Sequence, residues 1–279
     1  MVRSTRQKTI IITGASDGIG LAAARKLKKQ GAHVVLVGRS PEKTRAAASE
    51  LSAPYHIADF AKLSDVRRLA KELIANHSHI DVLINNAGGI FGARQLTEDG
   101  YEKTMQVNHL AHFLLTNLLM DTLIASSATI INTSSVAHQV FAEFDITDLN
   151  MQKKYSPNRA YGNAKLENIL FTKELDRRFG SKGVAAAAFH PGNVATSFAR
   201  DSRSFLRIVF QSPLKYFMRL RTPEEGADTL VWLATTDPGK AWRPGLYYYK
   251  RKIAKTSPLV SDAQIAKSLW EQSAQMTRV

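Results

Sequence analysis

Thr13-Gly14-Ala15-Ser16-Asp17-Gly18-Ile19-Gly20 joins a β-branched run, Thr9 to Thr13, to an alanine- and lysine-rich stretch, Ile19 to Lys29. A glycine-rich turn between a strand and a helix has a mechanism. The glycines permit a tight turn and close backbone approach, and the free amides at the helix start suit a pyrophosphate. An ordinary βα loop is the plain alternative. Gly31 closes the helix, and the same alternation then repeats down the chain.

Short apolar runs at His33–Val37, Tyr55–Ala58, Asp81–Ile84, Ala128–Thr133 and Val184–Phe189 read as further strands. Helical patterns lie between them at 42–51, 64–75, 102–124 and 158–179. This order predicts an α/β fold, a doubly wound parallel sheet with helices on both faces. The 102–124 helix is apolar on more than one face, which suggests burial. After Phe189 the pattern breaks. Residues 198–221 mix apolar with basic side chains, a helix follows from Pro223 to Thr235, Gly245–Tyr249 reads as a last strand before a basic loop, and a helix over 261–275 ends the chain. No repeat or linker divides the 279 residues, so a single domain is expected.

Apolar residues make up 44% and charged residues 22%, which excludes disordered and fibrous classes. The absence of cysteine removes disulfides, thiolate zinc sites and cysteine nucleophiles. Ile10–Ile12 is too short for a signal peptide, and the uncharged run 122–142 is too polar for a membrane span, so a cytoplasmic location is expected. The net charge of +14 invites an anionic partner. Residues 198–255 hold 12 basic and 5 acidic residues, and 1–8 add three basic ones. No helix-turn-helix, zinc-finger or aromatic RNA signature accompanies this charge, so nucleic acid is not expected as a partner. The histidine pairs His77/His79 and His109/His112 lack the spacing of a metal site.

The turn's spacing, T-G-x-x-x-G-x-G, resembles the short-chain dehydrogenase/reductase family, and Asn85-Asn86-Ala87-Gly88 after the fourth strand resembles that family's second motif. Further matches follow in family order. They are Asn108 in 105–109, Ser135 after the strand Ile131-Asn132-Thr133, Tyr161-Gly162-Asn163-Ala164-Lys165, and His190-Pro191-Gly192-Asn193-Val194-Ala195-Thr196. The resemblance implies a Rossmann-like fold and an oxidoreductase moving a hydride between a nicotinamide cofactor and a carbonyl or alcohol carbon. The cofactor would lie against Gly14, Ser16, Asp17, Gly18, Ile19, Gly20, Asn86, Ala87, Gly88, Pro191, Gly192, Val194 and Thr196, with Asp59 at the adenine. An Asp before a helix is also a routine turn residue.

Tyr161 would donate the proton, Ser135 rather than Ser134 would hold the substrate oxygen, Lys165 would tune Tyr161 and hold the ribose, and Asn108 would complete a relay. A Tyr and a Lys at i and i+4 share a helix face, and a fixed ammonium there favours the phenolate. Nineteen residues after Gly20, Gly38 stands where a ribose 2′-hydroxyl would want an acid, and Arg39 follows it. A 2′-phosphate wants such an Arg, so the expected cofactor is NADP(H); the plain alternative is a solvated loop charge.

Asn132–His138, the insertion between Ser135 and Tyr161, Phe189–Gly192 and Lys267–Glu271 are most similar to the retinol dehydrogenase branch and its bacterial relatives. That likeness implies a small lipophilic carbonyl or alcohol substrate. The family also implies a homodimer or homotetramer through the helices bearing Asn108 and Tyr161. The basic, apolar segment at about 197–222 reads as a substrate lid, with peripheral membrane contact as one reading and an ordinary amphipathic helix as another. A non-catalytic dinucleotide sensor or scaffold is the competing class; its mark would be loss of Tyr161, Lys165 or Ser135, and all three are present.

Overall fold

Strand β1 (Thr9–Thr13) sits inside a single eight-stranded sheet of order β3-β2-β1-β4-β5-β6-β7-β8. Its neighbours are β2 (His33–Gly38) and β4 (Val82–Asn85); β3 (Tyr55–Ile57), β5 (Thr129–Thr133), β6 (Ala185–Phe189) and β7 (Leu246–Tyr249) complete the parallel part. The computed structural model describes residues 7–194 and 221–279. Thr196 and nearly all of the lid expected at 197–222 lie outside the described residues.

The strands are apolar without alternation because both faces are covered. Ile11, Val35, Leu83 and Ile130 face one layer, with α3 (Leu63–Asn76), α5 (Ala111–Leu118) and part of α8 (Pro157–Phe179). Ile10, Ile12, Val34 and Ile84 face the other, with α1 (Gly18–Lys29) and α10 (Asp228–Thr235). The chain winds outward from β1 in two directions, so the C-terminal ends of β1 and β4 flank the switch point where such sheets open a crevice.

Four local features depart from the periodicity. The helix expected over 102–124 is broken into α4 (Lys103–Met105), a π turn (Gln106–Leu110), α5 and α6 (Met120–Ala125). A short helix, α7 (Ala137–Val140), stands at the start of the insertion between Ser135 and Tyr161, where no helical pattern is read. The helix expected from Pro223 to Thr235 divides at Ala227 into α9 (Pro223–Gly226) and α10. The basic loop after β7 instead folds back as β8 (Lys252–Ile253), antiparallel to β7, over a turn with Lys250 and Arg251 both left-handed at φ 50° and 60°. Neither residue signals such a turn. Arg251 donates to Asp228 at 2.8 Å, which anchors it.

The last helix, α11 (Ala263–Thr277), lies along α8 and α5. Trp270 packs on Phe113 at 4.9 Å and Phe171 at 5.7 Å, and the Arg178 guanidinium lies 4.6 Å over its ring. With this cover every residue of α8 from Ala160 to Thr172 is buried. Among the described residues, no helix is long and apolar enough to cross a membrane.

Burial also fixes a pH response. It holds His109 and His112 down to about 3 and His190 to about 4. The folded protein keeps them neutral while the unfolded chain takes up protons below about 6.5. Their stability contribution is therefore whole above 6.5 and is lost as the pH falls. Glu167, pushed up by burial to about 8, and Glu102, also raised by burial, oppose this, because their protons favour the folded state in acid. His77 and His138 are also held down by burial and Asp176 is also raised, so five histidines face three carboxyls between pH 6.5 and 4.5, for a net loss of stability. The urea midpoint should accordingly fall over that interval; a midpoint that holds or rises would contradict this balance.

Candidate active site

The glycine turn is built by close backbone approach. Gly14 has φ +66°, and a Cβ there would lie 2.8 Å from Ala87 Cα; one on Gly20 would lie 2.2 Å from the Gly14 carbonyl oxygen. Thr13 Oγ1 accepts the amides of Asn86 at 2.8 Å and Ala87 at 3.0 Å, and Asn86 Nδ2 donates to the Thr13 carbonyl at 3.0 Å. The ends of β1 and β4 are thereby stitched together. Asp17 caps α1, accepting from Gly18 N at 2.7 Å.

A cavity of about 660 Å³ opens over this turn. Gly14, Ser16, Asp17, Gly18, Ile19, Gly20, Arg39, Asp59, Asn86, Ala87, Gly88, Ser135, Tyr161, Lys165, Pro191, Gly192 and Val194 all line it. Asn108 does not reach the wall. At position 38 a Cβ would lie 2.2 Å from Thr44 Oγ1, so an acidic side chain has no room. Exposed Arg39 stands beside Ser40 and Lys43 on the wall. Lys43 went unnoticed in the sequence, although α2 (Pro41–Leu51), which starts just after Arg39, places it there; its amine lies 3.4 Å from Asp17. Asp59 accepts the Ala61 amide at 3.0 Å, so its carboxylate shapes the turn after β3 as well as meeting the cavity.

At the other end, α8 presents Tyr161 and Lys165 one turn apart. The Lys165 amine donates to the Thr133 carbonyl at 3.1 Å and lies 5.4 Å from the centre of the Tyr161 ring. Burial without a carboxylate partner pushes it down to about 7. Burial likewise raises the Tyr161 phenol above its usual range, and a side-chain hydrogen bond with Ser135 works against that rise. The expected lowering of the phenol by a lysine charge is therefore not the outcome in this protein; desolvation dominates both groups. Ser134 donates to the Lys165 carbonyl at 2.7 Å, which leaves Ser135 as the serine bonded to Tyr161.

Asn108 sits in the π turn, wholly buried. Its amide donates to the Gly89 carbonyl at 2.9 Å and the Thr104 carbonyl at 2.8 Å, while its oxygen accepts from Gly89 N at 3.2 Å. A Cβ on Gly88 would lie 2.3 Å from that oxygen and 3.4 Å from the Lys165 amine. Asn108 thus reaches the site through the loop after β4.

A glycine cradle beside a buried tyrosine and lysine and a half-buried serine suits hydride chemistry with a dinucleotide. The model of the short chain dehydrogenase family matches residues 8–206. The chain belongs to that family. A provisionally named daunorubicin C-13 ketoreductase, DnrU, of Streptomyces sp. (strain C5) is 42% identical over 274 residues, covering 96% of this chain and 91% of that protein. Retinol dehydrogenase 13 of Homo sapiens is 38% identical over 281 residues, covering 96% and 84%. Pseudomonas aeruginosa RhlG, in a structure described as an NADP active-site complex, superposes with a TM-score of 0.69 at 25% identity, covering 88% of this chain and 94% of that one. As a short-chain dehydrogenase, the protein is an NAD(P)-dependent oxidoreductase that interconverts an alcohol and a carbonyl on a small molecule.

The short-chain dehydrogenase site also has an apolar wall that the motifs did not reveal. Ile90, Phe91, Val136, Val140 and Phe141 line the cavity, Ile90 and Phe141 packing with Tyr161, and Val140, on α7, is 62% exposed.

Proposed function

We propose that the protein reduces lipophilic aldehydes or ketones, reversibly, with NADP(H) as cofactor. The observation that carries this reading is one cavity holding the Ser135–Tyr161–Lys165 group against the glycine cradle. A bound nicotinamide would supply the hydride for carbonyl reduction. Tyr161 donates its proton to the developing alkoxide, and Ser135, bonded to Tyr161, steadies that oxygen. Lys165 would hold the ribose and feeds protons to Tyr161; its value near 7 suits an amine that exchanges protons at neutral pH. Asn108 supports this relay by fixing the Gly88–Gly89 loop beside the Lys165 amine.

Preference for the 2′-phosphate is supported by Gly38, which leaves no space for an acid, and by Arg39 and Lys43, two cations on the wall beside it. A lipophilic substrate is supported by Val136, Val140, Phe141 and Ile90, and by the retinol and daunorubicin in the relatives' names. Association as the expected homodimer or homotetramer would need a surface other than the Ala160–Thr172 part of α8, which α11 helps enclose.

The test is oxidation of NADPH against NADH with a panel of lipophilic aldehydes and ketones. Turnover with NADPH preferred is expected, and no turnover across a broad panel would reject the reading. Arg39→Asp should weaken NADPH binding by about 10- to 100-fold, the scale of one charged hydrogen bond lost, and move the preference toward NADH. An unchanged preference would remove Arg39 from the phosphate site.

A further inference from the structure

His109 in the π turn and His112 just after it in α5 have no part in the chemistry above, yet His112 touches three parts of the site. His112 is 1% exposed. Its Nδ1 lies 3.1 Å from the Asn108 carbonyl oxygen and its Nε2 lies 3.2 Å from Thr13 Oγ1. Its ring meets Phe60, a cavity-lining residue, edge-on at 5.1 Å.

A carbonyl oxygen can only accept, so Nδ1 carries the hydrogen. In a neutral ring Nε2 is then bare and accepts from the Thr13 hydroxyl, whose one hydrogen it shares with the Ile84 carbonyl at 3.1 Å. The same hydroxyl oxygen receives the amides of Asn86 and Ala87. The imidazole therefore spans from the Asn108 backbone to the hydroxyl that joins β1 to β4. Asn108 in turn grips Gly89 through its side chain.

We propose that His112 is a positioning residue, a neutral Nδ1–H bridge that sets the distance between the Asn108 turn and the Thr13–Ala87 cofactor cradle. The assignment rests on the cofactor reading above. It requires the ring's two edges to play fixed and opposite roles, one donating and one accepting. A phenylalanine fills the same space and contacts Phe60 but does neither. A glutamine amide carries both a donor and an acceptor on one plane.

The experiment is NADPH binding by calorimetry, with the histidine tautomer read by long-range proton–nitrogen spectra of nitrogen-15-labelled wild-type protein. His112→Phe should weaken binding about tenfold with native circular dichroism retained, His112→Gln should restore most of that loss, and the wild-type ring should show a protonated Nδ1 and a bare Nε2. An Nε2–H tautomer overturns the proposal, as does a folded His112→Phe that binds NADPH within twofold of wild type. If His112→Phe does not fold, His112→Gln and the tautomer decide: tight binding by His112→Gln with an Nδ1–H ring supports the bridge, and loss of binding by a folded His112→Gln overturns it. Wild-type protein that binds no NADPH would instead reject the cofactor reading, leaving the tautomer to judge the bridge.

Discussion

Tyr161→Phe should lower carbonyl turnover by about a thousandfold, within the range of a lost general acid, while NADPH affinity and the unfolding midpoint stay close to wild type. The substitution keeps the ring that packs with Ile90 and Ala137 and lies under the Lys165 amine. It removes only the hydroxyl and its bond to Ser135. Because burial holds that hydroxyl protonated, it is a proton source at any working pH in the reducing direction. Steady-state kinetics beside a calorimetric Kd would separate the two quantities. Turnover within tenfold of wild type would show that another group delivers the proton.

The largest effect on stability is expected at the far side of α8. Trp270→Ala should cost about 3–5 kcal/mol, the scale of a buried aromatic truncated without collapse of the site. Trp270 is 9% exposed and closes a ring cluster with Phe113, Phe171 and Phe179, the last at 5.9 Å. Arg178, which lies over the indole, also pairs with buried Glu174 at 2.7 Å, so the truncation loosens an ion pair as well as a core. Urea denaturation would measure it, and a loss below about 1 kcal/mol would mean that α11 covers α8 only loosely.

Much of this molecule was legible in its residues. Gly14, Gly18 and Gly20 could be read because their spacing within one strand-to-helix turn is a local signal, and the parallel sheet because its strands are buried on both faces. Tyr161 and Lys165 could be read because a regular helix carries them to one place. What was missed depends on contacts made across the chain. The π turn at Gln106–Leu110 is invisible to a 3.6-residue pattern, and Asn108 is held there by Gly89, nineteen residues away. The hairpin turn at Lys250 and Arg251 lacks the usual residues because Asp228 supplies the anchor. Lys43 and the Val136–Val140 wall gain their positions only when helices settle on the sheet. The rise of the phenol and the fall of the amine come from burial, which no spacing of Tyr and Lys reveals.

The cover over α8 also has a meaning in time. Synthesis runs from the N-terminus, so Tyr161 and Lys165 are made about a hundred residues before Trp270, and the last turn of α11 reaches back to Tyr101, whose hydroxyl donates to the Met276 carbonyl, and to Arg67, which bonds Thr277. Until that helix emerges, the outer flank of the catalytic helix is bare apolar surface. The chain must therefore carry its reactive pair on an unfinished layer through about a hundred further residues of its own translation, and a ribosome stalled before residue 263 would hold a nascent protein with a nearly complete cofactor cradle and a sticky, unsealed back.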